Sequence, residues 1–176
     1  AIAHVNHAKS DGCTALMVVC ENGHEQCARA LLEAKADPNK ATSDGRTPLM
    51  AASVCGHEQC LHALLMAGAN VEHALDDGFN SLLYAAHSGH ELCVLELLKA
   101  TADPKKATNN GFTALMISCQ NGHEQCAHAL IEAKANLEAT QNEGWTAIMY
   151  SAQNGHDLCL LELLKAEADP NKANNN

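Results

Sequence analysis

A six-residue phrase recurs along the chain at a fixed interval and limits the folds open to it. Its clearest copies are Asn22-Gly23-His24-Glu25-Gln26-Cys27 and Asn121-Gly122-His123-Glu124-Gln125-Cys126. Looser copies complete a series of histidines, each 33 residues from the last: His24, His57, His90, His123 and His156. A constant period of roughly 20 to 50 residues is typical of stacked repeat proteins. The sequence therefore predicts a row of similar units, each packed only on its neighbours.

This interval divides a single domain into a leading fragment and five full units. The fragment covers residues 1–10, and the units cover 11–43, 44–76, 77–109, 110–142 and 143–175. Terminal units of such arrays normally have a polar outer face, but the fifth unit keeps four leucines: Leu160, Leu161, Leu163 and Leu164. We therefore expect that the chain is a piece of a longer array, or that another copy covers its ends through end-on self-association.

Every unit follows one order of turn, helix, glycine, helix and extended return. A pair such as Asp44-Gly45 opens the unit, because Asp-Gly and Asn-Gly suit turns that need positive φ. A residue that can cap a helix follows: Thr14, Thr47, Asn80, Thr113 or Thr146. A short apolar helix comes next, and the Gly of the Gly-His pair ends it. A second helix begins at the histidine, and an extended stretch such as Ala36-Asp37-Pro38-Asn39 leads to the next turn.

This order of elements at 33 residues resembles the ankyrin repeat. The marks are the internal Gly-His, the opening Asp44-Gly45-Arg46-Thr47-Pro48-Leu49 and the closing Gly68-Ala69-Asn70-Val71, and the resemblance covers essentially the whole chain. It implies an all-α solenoid of stacked helix-turn-helix units with projecting β-hairpin loops. It also implies a non-catalytic interaction module that binds a partner protein or peptide on the concave face, which the hairpins and first helices form.

Two departures from the family pattern bear on stability. The histidine of the family's Thr-Pro-Leu-His tetrad is replaced by an apolar residue in every unit: Met17, Met50, Leu83, Met116 and Met149. We expect packing to replace its hydrogen bonds. The glycine expected after the second helix survives only as Gly68, and the other units have Lys35, Thr101, Lys134 and Glu167. If these residues keep a positive φ, each costs on the order of 1 kcal/mol.

Charge and composition exclude several classes of function. The formal net charge of −10 argues against binding to nucleic acid, which needs a basic face, and against attraction to an anionic membrane. No apolar stretch approaches the ~18 residues of a membrane span, and no signal-peptide pattern is present. Five cysteines occupy one place in successive units: Cys27, Cys60, Cys93, Cys126 and Cys159. We predict small buried hydrophobes in a reducing, intracellular and cytoplasmic setting.

The histidines and cysteines raise the alternative of metal capture. Zinc needs four ligands around one point, whereas each unit supplies one histidine and one cysteine at the repeated places. Only His87 and His90 form a surface pair that a zinc or copper titration would have to test. The Gly-His histidines are predicted to bond a neighbouring loop instead. Because no phosphate-binding glycine loop or separate Cys–His–Asp set stands out, we predict no enzyme activity and no cofactor.

The residue between the turn glycine and the capping residue indicates a binding surface. It reads Cys13, Arg46, Phe79, Phe112 and Trp145, and it includes three of the five aromatic residues of the chain. We call Arg46, Phe79, Phe112 and Trp145 the hairpin row. The resemblance places this row on the concave side, and aromatic residues and arginine dominate the binding energy of many interfaces. The alternative is that the rings pack on one another and stiffen the array.

The ends of the first helices add polar groups to the same face. These residues are His87, Ser88, Gln120, Asn121, Gln153 and Asn154. They would supply hydrogen bonds beside the hairpin row, although a merely solvated helix end has the same composition. Acidic turn residues make the hairpin edge negative, which favours a partner with a basic segment: Asp44, Asp76, Asp77 and Glu143. The alternative function is a passive spacer within a larger multidomain protein or enzyme.

Overall fold

Ten short helices form five pairs across residues 5–172, the part of the chain that the computed structural model describes. The pairs are α1 (Ala15–Glu21) with α2 (Glu25–Glu33), α3 (Pro48–Cys55) with α4 (Glu58–Met66), α5 (Ser81–Ser88) with α6 (Glu91–Lys99), α7 (Ala114–Asn121) with α8 (Glu124–Glu132), and α9 (Ala147–Asn154) with α10 (Asp157–Lys165). Units 1 to 5 below denote these pairs, each with the hairpin that precedes it.

The pairs stack in two layers. The first helices α1, α3, α5, α7 and α9 pack on one another in sequence order, and the second helices do the same beside them. Between residues 5 and 172 no sheet forms, and isolated bridges such as Ala74 with Asn80 close the hairpins. The predicted all-α solenoid is confirmed. Within the same residues, none of the helices combines the length and apolar character needed to cross a bilayer.

Four of the five predicted capping residues do cap a first helix. Thr14, Thr47 and Thr113 each accept a backbone N–H three residues ahead at 3.3 Å, and Asn80 does so at 2.9 Å. Such a bond satisfies one of the amides that a helix start leaves without a partner. Thr146 is the exception, because its buried Oγ1 has no hydrogen-bond partner within residues 5–172. No contact in the structure explains this difference.

The apolar residues that replace the tetrad histidine lie in the core. Met50, Leu83 and Met116 are each 1% exposed, Met17 is buried, and Met149 packs half-buried against the same core. Methionine is flexible and fills irregular gaps between helices. The expectation that packing replaces the polar ladder is therefore confirmed.

In units 2 to 5 the histidine of the Gly-His pair joins its unit to the preceding one. Its Nε2 lies 3.0–3.1 Å from a carbonyl at the end of the previous first helix, in the pairs His57–Glu21, His90–Val54, His123–His87 and His156–Gln120. Carbonyls at a helix end have no partner within the helix, so each ring satisfies one of them. The predicted bond to a neighbouring unit is confirmed for these four histidines, but its acceptor lies in the last turn of a helix and not in a loop.

Each of these rings also lies against the glycine of the preceding unit. A Cβ atom added at Gly23, Gly56, Gly89 or Gly122 would come within 2.5–2.6 Å of the ring Nδ1 of the next unit. No real side chain tolerates that distance, so the ring must move or the glycine must stay. The Gly-His phrase is therefore an inter-unit joint as well as a helix break.

The backbone adopts a left-handed conformation just after the second helix of each unit. Lys35, Thr101, Lys134 and Glu167 have φ between 66 and 69°, and Gly68 has φ 85°. In unit 1, Lys35 N–H bonds Leu32 O and Ala36 N–H bonds Leu31 O, each at 2.9 Å, which is the Schellman pattern of helix termination. The four non-glycine positions therefore keep the positive φ on which the expected cost of about 1 kcal/mol each depends.

One of the predicted cysteine positions differs from the others. Cys60, Cys93, Cys126 and Cys159 are 1% exposed, whereas Cys27 is exposed. The buried thiols pack against the first helix of the preceding unit, where Cys60 faces Cys20 and Cys159 faces Cys119. No described helix precedes α1, so Cys27 has nothing to pack on. The prediction of a buried Cys27 is wrong for this reason.

Alkylation of the native protein with iodoacetamide should modify Cys27 first. Burial raises the pKa of Cys20, Cys93 and Cys126 to about 12, so these thiols are both covered and protonated near neutral pH. Mass spectrometry over a time course should next detect Cys13 and Cys55, which are half-buried. Modification of Cys93 or Cys126 as fast as Cys27 would contradict the packing of the second helices.

The same ion-pair cluster occurs twice, and each copy joins the second helices of two adjacent units. His62 Nδ1 on α4 lies 2.9 Å from Glu96 on α6, and Lys99 Nζ lies 2.7 Å from the same carboxylate. His128 on α8 and Lys165 on α10 hold Glu162 at the same two distances. Units 2 and 3 are therefore joined in the same way as units 4 and 5.

Acid should weaken these two joints. The bonds from Lys99 and His62 lower the pKa of Glu96, and those from Lys165 and His128 lower the pKa of Glu162. Because each folded-state pKa lies below the ordinary value of 4.5, the stabilisation is complete above that pH and is lost as the pH falls through the folded-state value. Urea unfolding between about pH 3 and pH 7 should show this loss.

A double variant isolates the two carboxylates. Glu96→Gln with Glu162→Gln should lose less stability on acidification than the wild type. Glu33→Gln is the control, because Glu33 is exposed and forms no ion pair within residues 5–172. Identical pH profiles for the double variant and the control would contradict a role for the clusters.

Candidate partner-binding face

The hairpins hold the hairpin row in register. In units 2 to 5 the row residue accepts a backbone N–H from four residues earlier, at 2.8–3.1 Å, in the pairs Thr42–Arg46, Leu75–Phe79, Thr108–Phe112 and Gln141–Trp145. Neighbouring hairpins also bond each other, as Asn109 N–H does to Asp77 O at 2.9 Å and Asn142 N–H to Asn110 O at 3.0 Å. Equivalent positions on successive hairpins therefore lie side by side.

The three rings of the row pack on two tyrosines from the first helices. The Phe79 ring lies 5.2 Å from Tyr84 on α5, and Tyr150 on α9 lies 5.7 Å from Phe112 and 5.3 Å from Trp145. These are ordinary distances for stacked or tilted aromatic pairs. All three rings are half-buried, so part of each surface belongs to the internal packing. The alternative that the rings stiffen the array thus has direct support beside the binding hypothesis.

Sequence reasoning missed the two tyrosines, although a signal was available. Tyr84 follows Phe79 by the same interval as Tyr150 follows Trp145, and the two occupy one place in units 3 and 5. Unit 4 has Ile117 there, and its Phe112 leans on the tyrosine of the next unit. Two tyrosines therefore support three rings.

Arg46 stands at the end of the row and is ion-paired. Its Nε lies 3.2 Å from Asp44 Oδ2, and both side chains are well exposed. A hydrogen bond from the Thr42 hydroxyl and the nearby Arg46 guanidinium lower the pKa of Asp44. Asp77 accepts the Phe79 N–H and so caps its own turn. The hairpin edge is thus predominantly acidic, with Arg46 partly neutralised.

The polar residues at the first-helix ends divide into two groups. Asn121 Nδ2 donates to His87 O at 3.1 Å and Asn154 Nδ2 donates to Gln120 O at 2.9 Å, so both amides tie neighbouring units together. The side chains of His87, Gln120 and Gln153 are exposed, and Ser88 is half-buried. The structure therefore brings all six predicted residues to one face, and two of them already use their N–H groups in the array.

The described residues offer no cluster of ligands for a metal ion. Within residues 5–172, no three His, Cys, Asp or Glu side chains converge on one point. The His90 ring bonds Val54 O at 3.0 Å, and His87 Nδ1 lies 3.4 Å from the Asn121 amide. Both members of the surface pair are therefore engaged with protein groups.

The family can now be assigned. A family model described as ankyrin repeats, in three copies, matches residues 2–74 and 82–174. The chain belongs to the ankyrin repeat family. No curated protein matches it. Ankyrin repeats are in general protein–protein interaction modules, and this is the functional class of the chain. The family is generally non-catalytic. The face and the partner that it uses are matters of proposal.

Proposed function

We propose that this ankyrin array holds a partner protein or peptide on its concave face, through the hairpin row. The observation that carries the proposal is the set of three rings on in-register hairpins, each backed by Tyr84 or Tyr150. Because the tyrosines restrict how the rings can move, binding orders fewer side-chain rotamers and loses less entropy. Rigid aromatic anchors of this kind are frequent hot spots.

The other residues of this face have secondary roles in the proposal. Arg46 contributes from the edge of the row, and the exposed amides and imidazole at the helix ends contribute hydrogen bonds. Asn121 and Asn154 can still accept hydrogen bonds through their side-chain oxygens. The acidic hairpin edge favours a partner segment that carries Lys or Arg. The nine free thiols support a reducing compartment, and we place the protein in the cytoplasm.

Replacing Phe79, Phe112 and Trp145 together with alanine should weaken partner binding by about a hundred-fold or more, because a single hot-spot aromatic often contributes ~2 kcal/mol and the contributions of several are not additive. A partner recovered from the native host by affinity purification would be produced separately, and its dissociation constant measured by calorimetry. Helical content, followed by circular dichroism, should stay unchanged.

The matched control removes exposed apolar side chains elsewhere. Met66, Leu92 and Leu158 are more than half exposed and lie on second helices, so their triple alanine variant should bind like the wild type. If the three-ring variant keeps full affinity, the rings are structural and the array acts as a spacer or binds through another face.

A further inference from the structure

A mainly apolar groove lies on the concave face between α1 and α3, in the half of the array away from Phe112 and Trp145. Its cavity volume is about 140 Å³. The apolar lining comes chiefly from Met17, Met50, Ala51 and Val54, and Tyr84 reaches it from α5. An apolar cavity of about 150 Å³ admits a benzene molecule. The groove is therefore large enough for one side chain and too small for a folded element.

The groove exists because two small residues stand where other units have large ones. Cys13 occupies the place of Phe79, Phe112 and Trp145, and Ala51 occupies the place of three larger side chains: Tyr84, Ile117 and Tyr150. In unit 4, Ile117 at the place of Ala51 is 4% exposed and packs in the core. The groove is therefore a local feature of units 1 and 2.

An exposed acidic side chain, that of Glu21, belongs to the groove lining. Glu21 closes α1, whereas Arg46 lines the groove from the hairpin, where Asp44 holds its guanidinium. The equivalent residues in the other units are Val54, His87, Gln120 and Gln153. Within residues 5–172 the Glu21 carboxylate has no ion-pair partner. Burial, together with this carboxylate, raises the pKa of Cys55 beside it.

We propose that the groove receives a lysine or arginine side chain of the partner, with its aliphatic stem across Met17, Met50 and Val54 and its cationic head at Glu21. This assignment rests on the proposed concave-face function and names the chemistry of the residue that enters it. Long cationic side chains bury their stem on apolar surface while the head group stays at a charge or in water. The flexible methionines adjust to the stem.

Other side chains fit the groove less well. A wholly apolar chain would cover Glu21 without offering it a partner, and a buried unpaired charge is costly. An acidic chain would meet the Glu21 carboxylate as a like charge, while the Arg46 guanidinium that lines the groove is already paired with Asp44. The combination of an apolar lining and a single carboxylate without an ion-pair partner among the described residues therefore favours a lysine or arginine side chain, which has an aliphatic stem and a cationic head.

The test uses N-acetyl-lysine methylamide as the probe and methionine methyl groups as reporters. With ¹³C-methyl methionine, titration of the probe should shift the Met17 and Met50 signals, with a dissociation constant on the order of 1–10 mM for so small a ligand. Met66, which is 75% exposed on α4, should not shift. The norleucine and glutamate analogues should bind at least five-fold more weakly.

Two variants address the groove itself. Ala51→Ile copies the residue that fills this space in unit 4, and it should abolish the shifts at Met17 and Met50 while leaving the thermal unfolding midpoint near that of the wild type. Glu21→Gln should weaken the lysine probe at least five-fold and leave the norleucine analogue unchanged. Glu33→Gln is the charge-matched control and should have no effect.

The outcomes separate this assignment from the proposed function. Absence of shifts with the lysine probe, equal binding of norleucine, or an unaffected Glu21→Gln variant would overturn the groove assignment. The double variant Phe112→Ala with Trp145→Ala leaves the groove lining intact, so it should bind the probe normally. If partner binding is lost in that double variant but is insensitive to Ala51→Ile and Glu21→Gln, the concave-face function stands and the groove assignment fails.

Discussion

Replacing Gly89 with alanine is expected to lower the free energy of unfolding by about 3 kcal/mol. The new Cβ would lie 2.6 Å from Nδ1 of His123, and the residue would keep φ at +76°. The backbone strain alone costs roughly 1–2 kcal/mol. Displacing the ring also breaks its 3.0 Å bond to His87 O, which adds roughly 1–2 kcal/mol. Urea unfolding should show a lower midpoint with an unchanged slope.

Gly155 provides a matched control within the same chain. It also has a positive φ, of +70°, and it also follows a first helix, but no non-neighbouring atom of residues 5–172 lies within 4 Å of its Cβ position. Gly155→Ala should therefore cost only the backbone strain, about 1 kcal/mol. Equal losses for the two variants would show that the contact with His123 contributes nothing. In a background with His123→Ala, the Gly89 substitution should cost no more than the Gly155 substitution.

The order of elements was readable from the sequence because it depends on local chemistry. Turn glycines, capping threonines and the helix-breaking glycine determine the backbone conformation within a few residues of themselves. The 33-residue period repeats this pattern in five units. The places where a positive φ would be costly could be named for the same reason, because Lys35 and its equivalents stand where the family has a glycine. Thr146 shows the limit, because its sequence context resembles that of Thr113 but its hydroxyl makes no hydrogen bond to any described residue.

For contacts between units, the sequence could predict the type of interaction but not the residue that takes part on the other side. The bond from His123 to His87 O joins residues 36 apart, and no local pattern names the acceptor. Cys27 has the same neighbours in sequence as Cys126, but it is exposed because no described helix packs on its side of unit 1. Tyr150 supports two rings, of which one belongs to another unit. In each case the partner depends on how one unit lies upon the next.

The groove was the feature least accessible to sequence reasoning, because it arises from missing volume. Large aromatic residues such as the three rings of the hairpin row stand out in a sequence of this composition. Cys13 and Ala51 attract no attention by themselves. The small size of Cys13 and Ala51 becomes informative only when they are compared with the residues at the same places in other units. Phe79 and Ile117 stand at those places and have larger side chains.

Introducing glycine at all four left-handed non-glycine positions should raise the free energy of unfolding by about 2–4 kcal/mol. A residue with a side chain at such a φ costs roughly 1–2 kcal/mol, and the greater freedom of glycine in the unfolded chain offsets part of the gain. The four sites lie on successive or alternate units and share no partner, so their effects should add. Gly68 shows that the turn accommodates glycine. Thermal and urea unfolding of the wild type and of the quadruple variant would measure the gain.

The control for this prediction replaces the same four residues with alanine. Lys35, Thr101, Lys134 and Glu167 are exposed, and none of them forms an ion pair within residues 5–172. Removing their side chains while keeping a Cβ should therefore leave the strain in place and give little or no stabilisation. A gain with alanine equal to that with glycine would assign the effect to the side chains and not to the backbone. Because each turn sets the exit of a second helix towards the next hairpin, the glycine variant should also leave the stacking, and the probe binding at units 1 and 2, unchanged.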